Sequence, residues 1–551
     1  MTLFDLLVLT ATILSVQSVI TKTPSGDILG FTSNNVDIYK GIPYGQFSTR
    51  WSSATLPKSW TDTLNATEFG PICHQSGPFK LPLPLVESED CLFLNIWVPN
   101  GNNSLLPVRV WLHGGGYTAG FSNDYDSENL ARFSQSIIVT INYRLGLFGF
   151  FPLTNLNTRN LGLMDQQLAL QWVQKNIPSF GGDKTNVMIF GESAGGSSVL
   201  AHLLMESSWP LYSSIVLESA GPFHFSDCKE NERVNLKLID IAFPECQSNL
   251  TCFQKIDASR LYQELTINWI KLWPCIGEQS QLREQPITLI RKGLFNKKAN
   301  VLGGFNAHEG QSVTYIFNQF NMSISETRYH DLTEQYQIPS ELIAKYDPTT
   351  TDKDYFNAFS WLIANYYCYC PSFYLFNYLA TISSSSIYVY LFIHPSENWI
   401  FTPLHFNATH LTEIPYVFHN QFVATQLTPA ETNLSLKLIK YFTSFHLSKQ
   451  PWPSYKINQT ILIFDIGDHG IKTQFGYGKQ MIEKCSVVLK YFDSDDCHAY
   501  LTEQECSKMK HCQWIGDHCD TIQTSSALQN KHYSFTFSIV VLTFLINLLF
   551  K

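Results

Sequence analysis

One stretch limits the folds open to this chain more than any other: VMIFGESAGGSS, residues 187–198. VMIFG (187–191) has strand character and runs directly into Gly191-x-Ser193-x-Gly195, while a helix-forming run starts at Ala194. A strand that turns into a helix over a single serine makes a sharp corner. Crowding at that corner demands glycine two residues to either side, and the serine Oγ is left exposed at its tip. The bare pattern also arises by accident as a Gly/Ser-rich turn in a chain with 30 glycines, so the strand before it and the helix after it carry the inference.

A second glycine cluster sits upstream in the same kind of place. WLHGGGY (111–117) closes the strand-like VRVWLH (108–113). Attack on an ester builds negative charge on the carbonyl oxygen, and backbone N–H groups aimed at that oxygen stabilise it. Glycines let the backbone approach closely enough. The expected donors are Gly115, Gly116 and Ala194, the last being the residue after the serine. A flexible glycine turn is the alternative for HGGG alone.

The surrounding pattern agrees with this geometry. IIVTINYR (137–144), SSIVLES (213–219), ANVLGGF (299–305), SIYVYLFI (386–393) and TILIFD (460–465) read as short buried strands, and LMDQQLALQWVQKNI (163–177) reads as a helix. Strands alternating with helices imply an α/β class with a mainly parallel sheet covered on both faces. The chain is 44% apolar and only 15% charged, with a net charge of −9 and no basic block. That composition suits a large core and makes nucleic acid a poor partner.

Both ends have the texture of targeting segments. LLVLTATILSV (6–16) is too short to span a bilayer and is followed by Val16-Gln17-Ser18, so residues 1–18 read as a signal peptide. Asp5 and the lack of a basic residue are atypical for one, and an internal apolar strand is the alternative. FTFSIVVLTFLINLLF (535–550) follows Ser525-Ser526-Ala527 and a short polar spacer. Residues 523–551 therefore read as a glycolipid-anchor signal or, alternatively, as a C-terminal membrane helix. Between them lie a domain over 19–494 and a Cys-rich module over 495–522. In the module, Cys497, Cys506, Cys512 and Cys519 could pair in three ways or bind zinc, and disulfides suit a secreted chain better. Thirteen cysteines in all leave one unpaired within the chain. Sequons at Asn65, Asn102, Asn249, Asn321, Asn433 and Asn458 fit a glycoprotein.

With both glycine motifs in place, the chain resembles the type-B carboxylesterase/cholinesterase family of α/β-hydrolases across about residues 19–493. GIPYG (41–45), SEDCLFLN (88–95), INYRLGLFGF (141–150), LGLMDQQLALQWVQKNIPSFGGD (161–183), LGGFNAHEG (302–310) and WPSY (452–455) carry the resemblance. It implies a Ser193–Glu309–His410 triad, with Glu309 in FNAHEG and His410 in NATHLTEIPYVF, in the chain order usual for this fold. It also implies that Glu192 polarises the site and that Ser219 supports the acid. Ion pairs Arg50–Glu89 and Arg144–Asp165 follow from it, as do disulfides Cys73–Cys91, Cys246–Cys252 and Cys370–Cys485. Cys228–Cys275 is then a guess for a further bridge, with Cys368 free.

The chain departs from the family twice. Loop 74–90 has no tryptophan to hold a quaternary ammonium by cation–π attraction, which makes a choline ester a poor substrate. Leu411 stands where the family has glycine after the histidine. The function expected is a serine carboxylic-ester hydrolase with a small-molecule ester substrate, no cofactor and no metal. A non-catalytic adhesion ectodomain and a lipase for long acyl chains are the alternatives. Asn407, three residues before His410, is also a sequon, and a glycan there would crowd a water-excluding site, so it is expected to be bare.

Overall fold

The computed structural model describes residues 17–76, 85–101, 104–153, 158–221, 225–247, 249–265, 272–278, 280–336, 338–345, 353–396, 404–420, 426–466, 471–474, 477–485, 512–515 and 518–521. Twelve strands follow one path through the main sheet. They are β1 (Gln17–Thr23), β2 (Gly26–Ser33), β3 (Val36–Pro43), β4 (Phe93–Pro99), β5 (Leu106–Leu112), β6 (Ile137–Ile141), β7 (Gly182–Glu192), β8 (Ser214–Glu218), β9 (Asn300–Asn306), β10 (Ile387–Phe392), β11 (Ile461–Phe464) and β12 (Lys472–Gln474). Their order across the sheet is β1-β2-β3-β4-β6-β5-β7-β8-β9-β10-β11-β12, with the short strand Leu64–Asn65 beside β2. From β6 to β11 every pairing is parallel. The N-terminal strands and β12 pair antiparallel.

The parallel strands are apolar on both faces, as burial between two helical layers requires. Val108, Val110, Val187, Ile189, Ile215 and Val389 point into one core. Trp111, Ile138, Met188, Phe190, Val216 and Tyr390 alternate with them into the other. Helices α2 (Leu161–Asn176) and α3 (Ala194–Leu204) supply residues to the first core, among them Leu170 and Leu200. The second core takes Leu130 from α1 (Glu128–Ser134), Tyr416 and Phe418 from a short helix Ile414–Phe418, and Leu438 and Phe442 from a long helix Pro429–His446.

Order reverses between β5 and β7: the chain steps from β5 to β6 on one side and later returns with β7 on the other. Such a switch point opens a crevice beyond the carboxyl ends of the two strands. HGGG ends β5 and Ser193 ends β7, so both glycine motifs meet at this crevice.

Four disulfides join Cys73 to Cys91, Cys228 to Cys275, Cys246 to Cys252 and Cys370 to Cys485, and Cys368 is buried and free. The Arg144 guanidinium grips Asp165 with two hydrogen bonds, of 2.7 and 2.6 Å, its backbone N–H adds a third, and Arg50 pairs with Glu89. Near the C-terminal end of the described residues, the strands Cys512–Ile515 and His518–Thr521 pair antiparallel. Cys497, Cys506, Asn102, residues 1–16 of the expected signal peptide and the expected anchor segment 523–551 lie outside the described residues. The other sequon asparagines, Asn65, Asn249, Asn321, Asn433 and Asn458, are exposed. So is Asn407, although Ala408 and Thr409 beside it are buried. Crowding therefore gives no ground for leaving Asn407 bare.

Candidate active site

Ser193 adopts φ 57° and ψ −120°, a strained conformation for a residue with a Cβ. The corner is tight for a reason visible in the register, in which Gly191 sits opposite Leu112. A Cβ on Gly195 would lie 1.9 Å from the Leu112 carbonyl oxygen, and one on Gly191 would lie 2.6 Å from it. No side chain fits at either position. The Ser193 N–H is tied to the Glu218 carbonyl at 3.0 Å, which anchors the turn to the neighbouring strand.

HGGG faces this corner. A Cβ on Gly114 would meet Glu192 Oε2 at 2.8 Å and Ser193 Cβ at 3.2 Å. Gly115 has φ 106° and Gly116 φ 64°, both in the region that favours glycine. Thr118 and Ala119 donate to the Gly115 carbonyl, which curls the loop back on itself. Among the described residues, the N–H groups of Gly115, Gly116 and Ala194 donate to no acceptor. They are three unspent donors around one serine. His113 is a structural neighbour: it stacks on Tyr143, and burial pulls its pKa down to about 4, which keeps it neutral.

His410 comes from the loop before Ile414–Phe418. Its Nδ1 lies 2.6 Å from Glu309 Oε2, and its Nε2 lies 3.1 Å from Glu192 Oε1. The second contact is close but not aligned as a hydrogen bond, because neither Glu192 oxygen has a hydrogen-bond partner among the described residues. Since Glu192 immediately precedes Ser193, that contact places the imidazole at the end of β7. Several bonds tie the His410 loop to the Glu309 loop, among them His308 N–H to the Ala408 carbonyl and Ser312 N–H to Thr409 Oγ1.

Glu309 is held on its far side as well. Its Oε1 accepts from Ser219 Oγ and from Asn306 N–H, each at 2.6 Å. The Tyr369 hydroxyl donates to the Asn306 carbonyl at 2.7 Å and accepts from Glu309 N–H at 3.3 Å. Tyr369 ends a π-helical turn, Ala364–Tyr369, and such turns recur at functional sites. Glu413 completes the cluster, accepting from Asn306 Nδ2 and from Ser219 Oγ. Asn306, Tyr369 and Glu413 were not singled out from the sequence. The available signals were Asn306 three residues before Glu309 and Glu413 three residues after His410.

Four buried carboxyl groups, Glu192, Glu218, Glu309 and Glu413, share this region. Burial opposes charge on His410, yet Glu192, Glu309 and Glu413 outweigh it and hold the imidazole above its ordinary pKa. Burial raises Glu192 and Glu218 well above the carboxylate range, and His410 pulls Glu192 back only in part. Burial and the Glu309 charge push Glu413 up to about 7. The arrangement thus surrounds one imidazole with acids of different proton affinity, beside a serine with unspent N–H donors.

Leu411 has φ 75°, where a side chain costs roughly 1–2 kcal/mol. That accounts for glycine at this place in the family and makes the leucine here a strained choice. Leu411→Gly is expected to stay within about 1 kcal/mol of the parent, because relief of strain offsets the lost packing and the added chain entropy. Leu411→Val should destabilise by about 2 kcal/mol, since a β-branched residue fits this region worst. Urea unfolding of both variants checks the order, and Val as stable as Gly would refute the strain.

Known proteins share this architecture. A model of the carboxylesterase family matches residues 17–469. Para-nitrobenzyl esterase of Bacillus subtilis (strain 168) is 43% identical over 216 residues, covering 37% of this chain and 44% of that enzyme. Mus musculus cholinesterase is 30% identical over 479 residues, 78% of each chain. Mus musculus acylcarnitine hydrolase is 29% identical over 497 residues, 81% of this chain and 87% of its own. A solved structure of PNB esterase superposes with a TM-score of 0.73 at 28% identity, covering 85% of this chain and 99% of the other.

Proposed function

The chain belongs to the carboxylesterase family, and from that premise we propose that it hydrolyses small carboxylic esters through an acyl-enzyme on Ser193. The observation that carries the proposal is the 2.6 Å contact between Glu309 and His410, with the other face of the ring turned to the Glu192–Ser193 corner. In the first half-reaction Ser193 Oγ attacks the ester carbonyl while His410 Nε2 takes its proton. Glu309 fixes the tautomer and stabilises the imidazolium. The carbonyl oxygen gains negative charge and is met by the N–H groups of Gly115, Gly116 and Ala194. Collapse of the tetrahedral intermediate breaks the C–O bond, and His410 returns its proton to the leaving alcohol. In the second half-reaction His410 takes a proton from water as it attacks the acyl carbon; the bond to Ser193 Oγ then breaks, His410 returns the proton to Oγ, and the acid is released.

A fluorophosphonate probe tests the nucleophile directly. Labelling of the parent protein but not of Ser193→Ala is expected, and equal labelling would remove Ser193 from the mechanism. The names of the relatives span nitrobenzyl esters, choline esters and acylcarnitines, so family membership alone leaves the acyl and alcohol groups open. A choline ester is disfavoured by the absence of tryptophan from loop 74–90. Four disulfides and six exposed sequon asparagines support a location in the secretory pathway. Surface attachment through 523–551 is part of the same proposal.

Glu192 gives the proposal a pH signature. The base must be neutral to act, and a carboxylate beside it favours the protonated form. Burial favours the neutral form of Glu192 and the His410 imidazolium favours its charged form. It is as a charge beside the imidazolium that Glu192 raises His410, so Glu192→Gln should move the ascending limb of kcat/KM against pH to lower pH by roughly one pH unit. A limb that stays in place would mean that Glu192 is uncharged in the free enzyme.

A further inference from the structure

We propose that a groove between α1 and the long helix Pro429–His446 binds an amphiphilic monocarboxylate, the anion of a medium- or long-chain fatty acid. The groove encloses about 330 Å³ and is lined by Phe133, Leu436, Lys440, Thr443, Ser444, Leu447 and Lys449. None of these residues belongs to the Ser193 site, and the proposal stands independently of the esterase reading.

Two observations point to an anion. The first is Arg109, in the middle of β5, at a position where the strand pattern calls for an apolar side chain. Its neighbours across the ladder are Ile138 and Met188. The residue is 1% exposed, and no carboxylate among the described residues pairs with it. Its Nε has no partner, and its Nη2 donates to Thr443 Oγ1 at 2.7 Å. Thr443 is part of the groove wall, so the uncompensated guanidinium lies directly behind that wall. His446 is no counter-charge either: an imidazole is neutral or cationic, and burial and Arg109 hold this one neutral. A buried cation without an anion is costly, and an anion in the groove would offset that cost.

The second observation is the groove's own charge. Lys440 and Lys449 face it and no acidic residue does, in a chain whose net charge is −9. The apolar residues then decide which anion. Phe133, Leu436 and Leu447 are exposed around the lysines. A bare phosphate would leave those surfaces wet, whereas an alkyl chain would cover them while its carboxylate met the lysines and the Ser444 hydroxyl; the Thr443 hydroxyl already donates to the Ile439 carbonyl. The volume is at the lower end of the roughly 300–1,000 Å³ usual for small-molecule sites, which fits one narrow chain.

The test uses the full-length protein and calorimetric titration with dodecanoate, dodecyl maltoside and inorganic phosphate. Dodecanoate should bind, and Lys440→Glu/Lys449→Glu should weaken it at least tenfold with the unfolding temperature unchanged. Arg109→Met, which replaces the charge with a side chain that suits Ile138 and Met188, should remain folded and weaken dodecanoate by a smaller factor. Equal affinity in the parent and the lysine double variant would overturn the proposal by placing the acid elsewhere, the Ser193 crevice included. Dodecyl maltoside binding as tightly would reduce the groove to an apolar surface, and phosphate binding as tightly would reduce it to a simple anion site. Either result also overturns the proposal.

Discussion

Ser193→Ala is expected to lower kcat for p-nitrophenyl acetate by about 10⁴- to 10⁶-fold, as loss of the nucleophile does where a triad works as a unit. The fold should be untouched. Alanine keeps the Cβ that Ser193 already carries at φ 57°, so backbone strain is the same in both proteins. The N–H bond to Glu218 is also kept, because it is a backbone contact. Only the Oγ is lost. Steady-state hydrolysis compared with the thermal unfolding curve separates chemistry from folding. A variant that retains more than about a hundredth of the parent activity would show that the ester is cleaved elsewhere, since orientation and N–H donors alone supply far less.

Glu309→Gln should cost about 10³- to 10⁴-fold in kcat, a large loss for the exchange of one atom. The geometry gives the reason. Glu309 Oε1 is met by the Asn306 N–H and the Ser219 hydroxyl, and Oε2 is met by His410 Nδ1. Both oxygens face donors, so a carboxamide has no comfortable orientation. If its NH₂ replaces Oε1, it opposes the Asn306 N–H. If it replaces Oε2, His410 Nδ1 must become an acceptor, and the ring proton moves to Nε2, the nitrogen that has to act as base. Either outcome disables the site while leaving its shape intact. Rates measured against pH, with unfolding as a control, check the prediction, and a loss below about tenfold would argue that Glu309 only fills space.

Much of this was legible in the sequence, for specific reasons. The strands from Val108 to Asp465 are short, largely continuous apolar runs rich in β-branched residues and bounded by turn residues, which are legible without any partner. The corner at Ser193 is a local matter of strand, glycine and helix. Pairing of Cys228 with Cys275, and the free Cys368, was only a guess until the fold brought those chains together. The antiparallel strands from Gln17 to Pro43 were not read from the sequence, because QSVITKT and GDILGFTS are half exposed and their pattern is weak. The supports of Glu309 escaped notice for another reason. Asn306 bonds it through a main-chain N–H, which no side-chain motif reports, and Tyr369 reaches it from sixty residues away through a π-helical turn. Asn407 shows that nearness in sequence to His410 does not decide exposure. The backbone turns between Asn407 and His410, leaving one outside and the other within.

The backbone bonds at the strand ends have a further consequence. Ser193 N–H reaches across to Glu218, Ser219 N–H to Gly304, Ala307 N–H to Phe392, and Ile393 N–H to Phe464. Each residue just past one strand is pinned to the strand beside it, so the rim of the sheet is stitched from β7 to β11. Neighbouring strands are roughly 4.8 Å apart, and Ser193 and Glu309 emerge two strands from each other. The sheet therefore acts as a ruler: it sets a gap of about two strand spacings, wide enough for one imidazole with a hydrogen bond on each side and too narrow for a longer relay. Loops around the crevice are free to change its shape, while the spacing between Ser193 and Glu309 is inherited from the peptide backbone and is indifferent to their sequence.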